Sequence, residues 1–424
     1  MENKHLKIAM FCLHSSPVDN IGTRDTGGMS VYVHELSKEM ARSGHSVDIY
    51  TRTHFDSSPQ IIHNCKNIRI IHLPVQDSNL LSKIELYPLL PEFLTCLENF
   101  RLQDKISYDL IYSHYWLSGI LGDLAQALWK VPHLIMFHTL GALKNSFQME
   151  QQEPELRIST EKKLAEQSHG IIMACERERK NLMLYYGVPS EKISIVPCGV
   201  EFNIFRPIDR HLARLNLGLA LDEKVILYVG RFDPLKGIDR LIEAFSLLAS
   251  EQSVRLVIVG ENGCPGPLLK KQMDDLGVQK RVSFFERVDQ NLLADYYSAA
   301  DVLAIPSRYE SFGLVALESL ACGTPVVATP VGNMENIICE GETGRVTSDF
   351  SPRSIAEALN FFISSENNIS PEAIRSSIAE YTWSSSASGV LDVFYNIILK
   401  HNNKRFTSKN ITDRCSLRNN IYEK

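Results

Sequence analysis

Pro306-Ser-Arg-Tyr-Glu-Ser-Phe-Gly-Leu-Val-Ala-Leu-Glu-Ser-Leu-Ala-Cys-Gly-Thr-Pro325 joins one short apolar run, Val302–Ile305, to another, Pro325–Ala328. The two runs read as strands, Leu314–Leu320 as the helix between them, and Gly313 as the tight turn that starts it. Strand, turn, helix, strand is the repeat of a parallel sheet covered by helices. The same alternation fills the chain. In the first half the candidate strands are Lys7–Cys12, Ser46–Thr51, Ile68–His72, Leu110–Ser113, His133–Phe137, Gly170–Ala174 and Ile193–Val196, with helices such as Met29–Ser43 and Leu117–Leu128 between them. Val225–Val229, Arg255–Val259 and Val282–Phe285 begin the pattern afresh, with Ile238–Ala249 as a helix. Pro197–Ile208, rich in Pro and Gly, reads as the linker. The expected fold class is therefore α/β, two doubly wound Rossmann-like domains facing across a cleft, over residues 1–205 and 206–382. Such sheets carry their sites at the carboxyl ends of the strands.

The 424 residues are 44% hydrophobic and 22% charged, the composition of a globular protein. A net charge of −6 gives no overall attraction to nucleic acid, so any basic site is local. No uncharged apolar stretch approaches the ~18 residues that span a bilayer. The first residues read as a strand rather than a secretory signal. Nine cysteines, an odd number with no CxxC pair, argue against disulfides and zinc and for a reducing cytoplasm. The last residues, 401–424, are polar and locally basic and read as a solvated tail.

Chemistry concentrates at two strand-to-helix turns. Glu310 follows a strand and Glu318 lies in the next helix, on either side of Phe312–Leu314, whose backbone N–H groups would face an anion. In Tyr228-Val-Gly-Arg-Phe-Asp-Pro-Leu-Lys-Gly237, a strand ends at Gly230 and Arg231 and Lys236 stand in the turn after it. A planar guanidinium fork and a point charge at a helix start suit a diphosphate, while flanking carboxylates suit vicinal hydroxyls. Each pair alone also fits solvated surface charges; together they point to a nucleotide-sugar. Gly230, Ser311, Phe312, Gly313 and Leu314 complete the expected donor site.

These motifs, R-F-x-P-x-K-G and E-S-F-G-x-x-x-x-E-x-x-A-C-G-x-P-V-V, resemble those of the retaining, GT-B fold glycosyltransferases of family 4. The resemblance runs from GGMSVYV to Tyr381-Thr-Trp383. It implies that Glu310 contacts sugar hydroxyls, Glu318 the ribose, and Arg231 and Lys236 the pyrophosphate. It implies no bound metal and no cofactor beyond a nucleotide-sugar, UDP-linked in the favoured reading, and a last helix over 383–400 that crosses back onto the first domain.

On the acceptor side, Asp25-Thr-Gly-Gly-Met-Ser-Val-Tyr32 opens a helix after the first strand, and Gly27 and Gly28 would let backbone approach a ligand. His14, His114 and His138 each follow a strand, so each would point toward the cleft. This segment resembles the D-inositol-3-phosphate glycosyltransferases of mycothiol synthesis, and next the sucrose-phosphate synthases, which share D-T-G-G. By that resemblance Lys83, Tyr115, Thr139 and Arg157 bind an acceptor phosphate; for Lys83 and Arg157 the alternative is a surface cation on a helix. Ser30 stands where the inositol-phosphate enzymes have Asn, which leaves the acceptor open. The expected reaction is retaining transfer of a hexosyl or N-acetylhexosaminyl group to a small phosphorylated polyol or sugar. Arg231, Lys236 and the Gly27 and Gly28 amides would stabilise the departing diphosphate, and His138 would orient the donor sugar. Transfer to a hexose phosphate, to a lipid or to a polysaccharide, and a catalytically inactive nucleotide-sugar binder, remain as alternatives; a sugar-nucleotide epimerase ranks lower. The expected partners are small molecules, with no nucleic acid, no stable membrane insertion and a homodimer left open.

Overall fold

The computed structural model describes residues 5–15, 27–53, 60–75, 78, 81–148, 151–248, 253–260, 263–364 and 369–419, with only the helical backbone for 404–419. Asp25 and Thr26 of the glycine segment, Ser16, Pro17, Leu80, Ala249 and residues 420–424 lie outside them.

Among the described residues, fourteen strands form two sheets. The first contains β1 (Lys7–Phe11), β2 (Ser46–Arg52), β3 (Ile61–Cys65), β4 (Ile68–Leu73), β5 (Leu110–His114), β6 (His133–Met136), β7 (Gly170–Met173) and β8 (Ile193–Ile195). Their spatial order is β3-β4-β2-β1-β5-β6-β7-β8. Every pair is parallel except β3 with β4. The second contains β9 (Lys224–Val229), β10 (Val254–Val259), β11 (Val282–Phe285), β12 (Val302–Ile305), β13 (Val326–Ala328) and β14 (Gly344–Val346), ordered β11-β10-β9-β12-β13-β14 and parallel throughout. Two strands were not expected from the sequence: the antiparallel β3 and the three-residue β14.

Both faces of each sheet are covered, as parallel sheets require. Along β1 and just beyond it, Ile8, Met10 and Cys12 enter one core while Ala9, Phe11 and Leu13 enter another, the period-two alternation of a strand. The first of these cores is continuous with one face of the second sheet, through Cys198, Val200 and Phe205 of the crossover between domains. That crossover is packed rather than free. Val200 N–H donates to Tyr381 O at 3.0 Å, and Arg375 donates to the carbonyls of Phe202, Phe205 and Ala321. A Cβ on Gly199 would stand 2.3 Å from Trp383 N, so the two interdomain passages touch only because a side chain is missing there.

The last helix runs from Trp383 to Asn419, beyond residue 400 and into the stretch that composition alone reads as a solvated tail. Trp383, Ala387, Val390, Leu391 and Phe394 are buried at helical spacing. Phe394 meets Tyr112 of β5 at 5.2 Å between ring centroids, and Trp383 meets Tyr32 at 5.9 Å, so this helix lies on the first domain.

Candidate functional site

On the first domain, Tyr115 is the first residue after β5 and holds φ at +75°, a left-handed backbone that costs a non-glycine residue energy. His138, just past β6, holds φ at +60°. The two stand beyond the carboxyl ends of neighbouring strands.

Tyr115 is the centre of a cluster. Its ring lies 4.3 Å from that of His14, with the Arg157 guanidinium 4.8 Å and the Lys83 ammonium 5.9 Å from its centroid. Arg157 also donates to Thr139 Oγ1 at 2.9 Å and to Thr139 O at 3.0 Å. The four residues expected to hold an acceptor phosphate therefore stand together. Arg157 is not a surface cation: it is 1% exposed and ion-paired to Glu161 at 2.7 Å and Glu153 at 2.9 Å. Glu161 in turn accepts from Gly141 N–H and the Tyr186 hydroxyl, and Glu153 from Lys144. Lys83 stands in a turn, not on a helix. Burial first, then the cations Lys83 and Arg52, hold the His14 imidazole well below its ordinary pKa.

Ser30 is fully buried, and its hydroxyl lies 2.6 Å from that of Ser15. Its side chain is thus engaged within the domain. Gly28 opens the helix Gly28–Arg42 after an extended Gly27, and a Cβ on Gly28 would stand 3.6 Å from Leu314 of the second domain. The starts of two helices, one from each domain, face each other there.

On the second domain, Lys236 reaches Glu310 Oε1 at 2.7 Å, and the Ser307 hydroxyl donates to the same oxygen at 2.7 Å. Oε2 of Glu310 has no partner among the described residues. Glu318 is arranged alike: Oε2 accepts from the Tyr297 hydroxyl at 2.7 Å while Oε1 is left over. Burial raises the Glu318 carboxyl to about 7, against a smaller opposing effect of Tyr297. Arg231 is exposed, and among the described residues its guanidinium has no ion pair; its carbonyl accepts from Tyr228. Gly230 precedes it at the end of β9. Gly313 holds φ at +102°, a backbone that strains any side-chain-bearing residue, and a Cβ there would fall 1.9 Å from the flexible end of Met334, which would have to move.

The domains meet at this loop. The Ser311 hydroxyl donates to the His138 carbonyl, Cys175 Sγ lies 3.4 Å from Ser311 O, and the Tyr309 ring packs on Phe147. Phe312 is buried beneath them, against Tyr381. Arg177 and Glu335 pair across the same boundary at 2.6 Å.

Sequence reasoning missed several members. Glu178 is buried beside Ser311, accepts from Ala174 N–H at 3.0 Å, and is pushed up to about 8 by burial. Its signal was present: it stands three residues after Cys175, the residue that precedes the helix Glu176–Tyr186, the place where a Glu folds back on a helix start. Tyr297 carried no such signal, because its partner Glu318 lies 21 residues away; Glu153 and Glu161 each stand four residues from Arg157, a spacing that could have marked them.

Residues 26–203 match the model described as Glycosyltransferase Family 4, and residues 209–380 match Glycosyl transferases group 1. A D-inositol 3-phosphate glycosyltransferase of Corynebacterium glutamicum is 34% identical over 94% of this chain and 98% of its own length. The sucrose-phosphate synthase of Thermosynechococcus elongatus superposes with a TM-score of 0.78 at 28% identity, over 96% of this chain and 100% of that one. HepE of Anabaena, solved in complex with UDP, superposes at 0.69 with 17% identity over 92% of this chain and 100% of that one, a likeness of fold alone. With two parallel-sheet domains, a family 4 first half and a group 1 second half, this chain belongs to the GT-B glycosyltransferases.

Proposed function

We propose that this glycosyltransferase moves a hexosyl or N-acetylhexosaminyl group, with retention, from a UDP-sugar to a small phosphorylated polyol. The observation that carries this reading is the gathering of Lys83, Arg157 and Thr139 around Tyr115, on the domain opposite Arg231, Lys236 and Glu310. The Lys83 ammonium, beside an Arg157 already paired with Glu153 and Glu161, suits the acceptor's phosphate, and Arg231 and Lys236 suit the donor's diphosphate. Small-molecule substrates fit both.

Each domain contributes half of the reaction. Arg231 and Lys236 would neutralise the departing diphosphate, the electrostatic assistance that usually dominates catalysis. The free oxygens of Glu310 and Glu318 would accept from sugar and ribose hydroxyls. A double displacement would need an ionised carboxylate at the sugar; Glu178, the buried carboxyl beside Ser311, is held protonated near neutral pH and is already bonded to backbone. That favours a front-face reaction in which the diphosphate takes the acceptor's proton and the protein positions both partners. Lacking a metal in this scheme, the site relies on its cations alone.

The relatives' name favours inositol phosphate as acceptor. The Ser30–Ser15 bond favours the second reading, a hexose phosphate, because no amide reaches out at that place. Thermal shift decides between them: UDP-, ADP- and GDP-sugars are screened with and without inositol 3-phosphate or fructose 6-phosphate. A ligand at 100 times its Kd stabilises by about 2.7 kcal/mol. A UDP-sugar and one of the two acceptors should raise Tm, and the product's anomeric coupling should report retention. If no nucleotide-sugar raises Tm and none is consumed, the reading fails.

A further inference from the structure

His114 is the last residue of β5, and His138 follows β6, its neighbour in the sheet. Nδ1 of His114 lies 2.9 Å from Nε2 of His138. Burial lowers both imidazoles, His138 to about 3, so both are neutral at pH 7 and one proton lies between the two nitrogens. Which ring supplies it follows from the far side of His114. Its Nε2 is buried, with no hydrogen-bond partner among the described residues. A proton there would be an orphaned buried N–H, which proteins avoid more strictly than an unfilled acceptor. The His114 proton therefore belongs on Nδ1, His114 is the donor, and His138 Nε2 accepts. A neutral imidazole that accepts at one nitrogen carries its hydrogen at the other.

From this we propose that His114 is a positioning residue that holds His138 in one orientation and in the Nδ1–H tautomer, so that His138 meets its ligand as a hydrogen-bond donor. The surrounding rings pack the pair closely. Tyr112 packs on His114 at 4.3 Å, and the Tyr32 ring stands edge-on to both imidazoles at 5.7 and 5.5 Å. The strained backbone at His138 is pinned by Ser311, which donates to its carbonyl from the other domain. His114 is fully buried, whereas His138 is partly exposed at the cleft, so Nδ1 is the nitrogen left for a ligand. An N–H there suits a hydroxyl oxygen and rejects a donor or a cation. Resting on the proposed function, that oxygen belongs to the donor sugar.

Two-bond proton–nitrogen correlation on the full chain with 15N-labelled histidine reads the tautomer directly. Protonated Nδ1 and bare Nε2 on His138 are expected; the reverse overturns the proposal. Kinetics supply the second arm. His114→Asn keeps an amide N–H near the place of Nδ1, whereas His114→Leu removes it. His114→Leu should lower kcat by about 100-fold, the cost of a misplaced reacting group, with acceptor KM little changed, and His114→Asn should restore most of that loss. Equal kcat in the wild type and His114→Leu would overturn it. Should the wild type consume no nucleotide-sugar, the proposed function falls, while the tautomer still decides the role of His114.

Discussion

The two sides of the cleft hold their cations in opposite ways. Arg157 is buried and clamped by Glu153 and Glu161, with Tyr186 and Gly141 bracing Glu161. Arg231 stands exposed, and among the described residues Lys236 is held by Glu310 alone, a residue from a different strand-to-helix turn. On the proposed function, the first domain's side is finished before any ligand arrives, whereas the second domain's side would be completed by the donor's diphosphate. A charge whose partners are internal contributes to stability, and a charge left open contributes to turnover.

The sharpest test of that contrast is Arg157→Met. Removing one partner from a buried ion pair leaves Glu161 uncompensated and should cost about 3–5 kcal/mol, read by urea denaturation. A loss below 1 kcal/mol would break the comparison. Arg231→Ala should do the converse: a fall in kcat on the order of 10²–10³, the effect of losing one preorganised charge contact, at unchanged Tm. Gly313→Ala strains the left-handed turn and presses on Met334, and should cost about 1–3 kcal/mol together with donor affinity. The smallest effect is one of pH. Burial raises the folded Glu318 carboxyl to about 7 from an ordinary value of 4.5. Its stabilising contribution is complete below pH 4.5 and is lost as pH rises through 7, because the folded state binds the proton more tightly than the unfolded. Glu318→Gln should therefore gain Tm relative to the wild type between pH 5 and pH 8; a constant difference would refute the raised value.

How much of this was legible depended on the range of each interaction. Twelve of the fourteen strands could be read from apolar runs flanked by turns. Gly344–Val346 was missed because three residues are too few to show alternation, and Ile61–Cys65 because it is an antiparallel edge beside a parallel sheet. Lys236 and Glu310 could be named but not joined, since 74 residues separate them and only the pairing of β9 with β12 brings their turns together. Arg157 also read, as the lesser alternative, as a surface cation on a helix, because Glu161 is an ordinary helix residue until Tyr186 and Gly141 fix it and Glu153 stands before that helix. Ser30 could be flagged as unusual, yet its bond to Ser15 depends on how β1 meets the following helix.

The last helix sets when the core of the first domain can be completed. Phe394 and Val390 join Tyr112 of the first sheet and Tyr32 of the helix Gly28–Arg42 in one core, so that face is only partly covered until they emerge from the ribosome. From the end of the first domain to Phe394 the wait is on the order of ten to forty seconds, at about 5–20 residues per second. During that interval the first half of the chain is a nascent domain with an open apolar flank, in need of shelter from its neighbours, and only its own C-terminal end brings the exposure to a close.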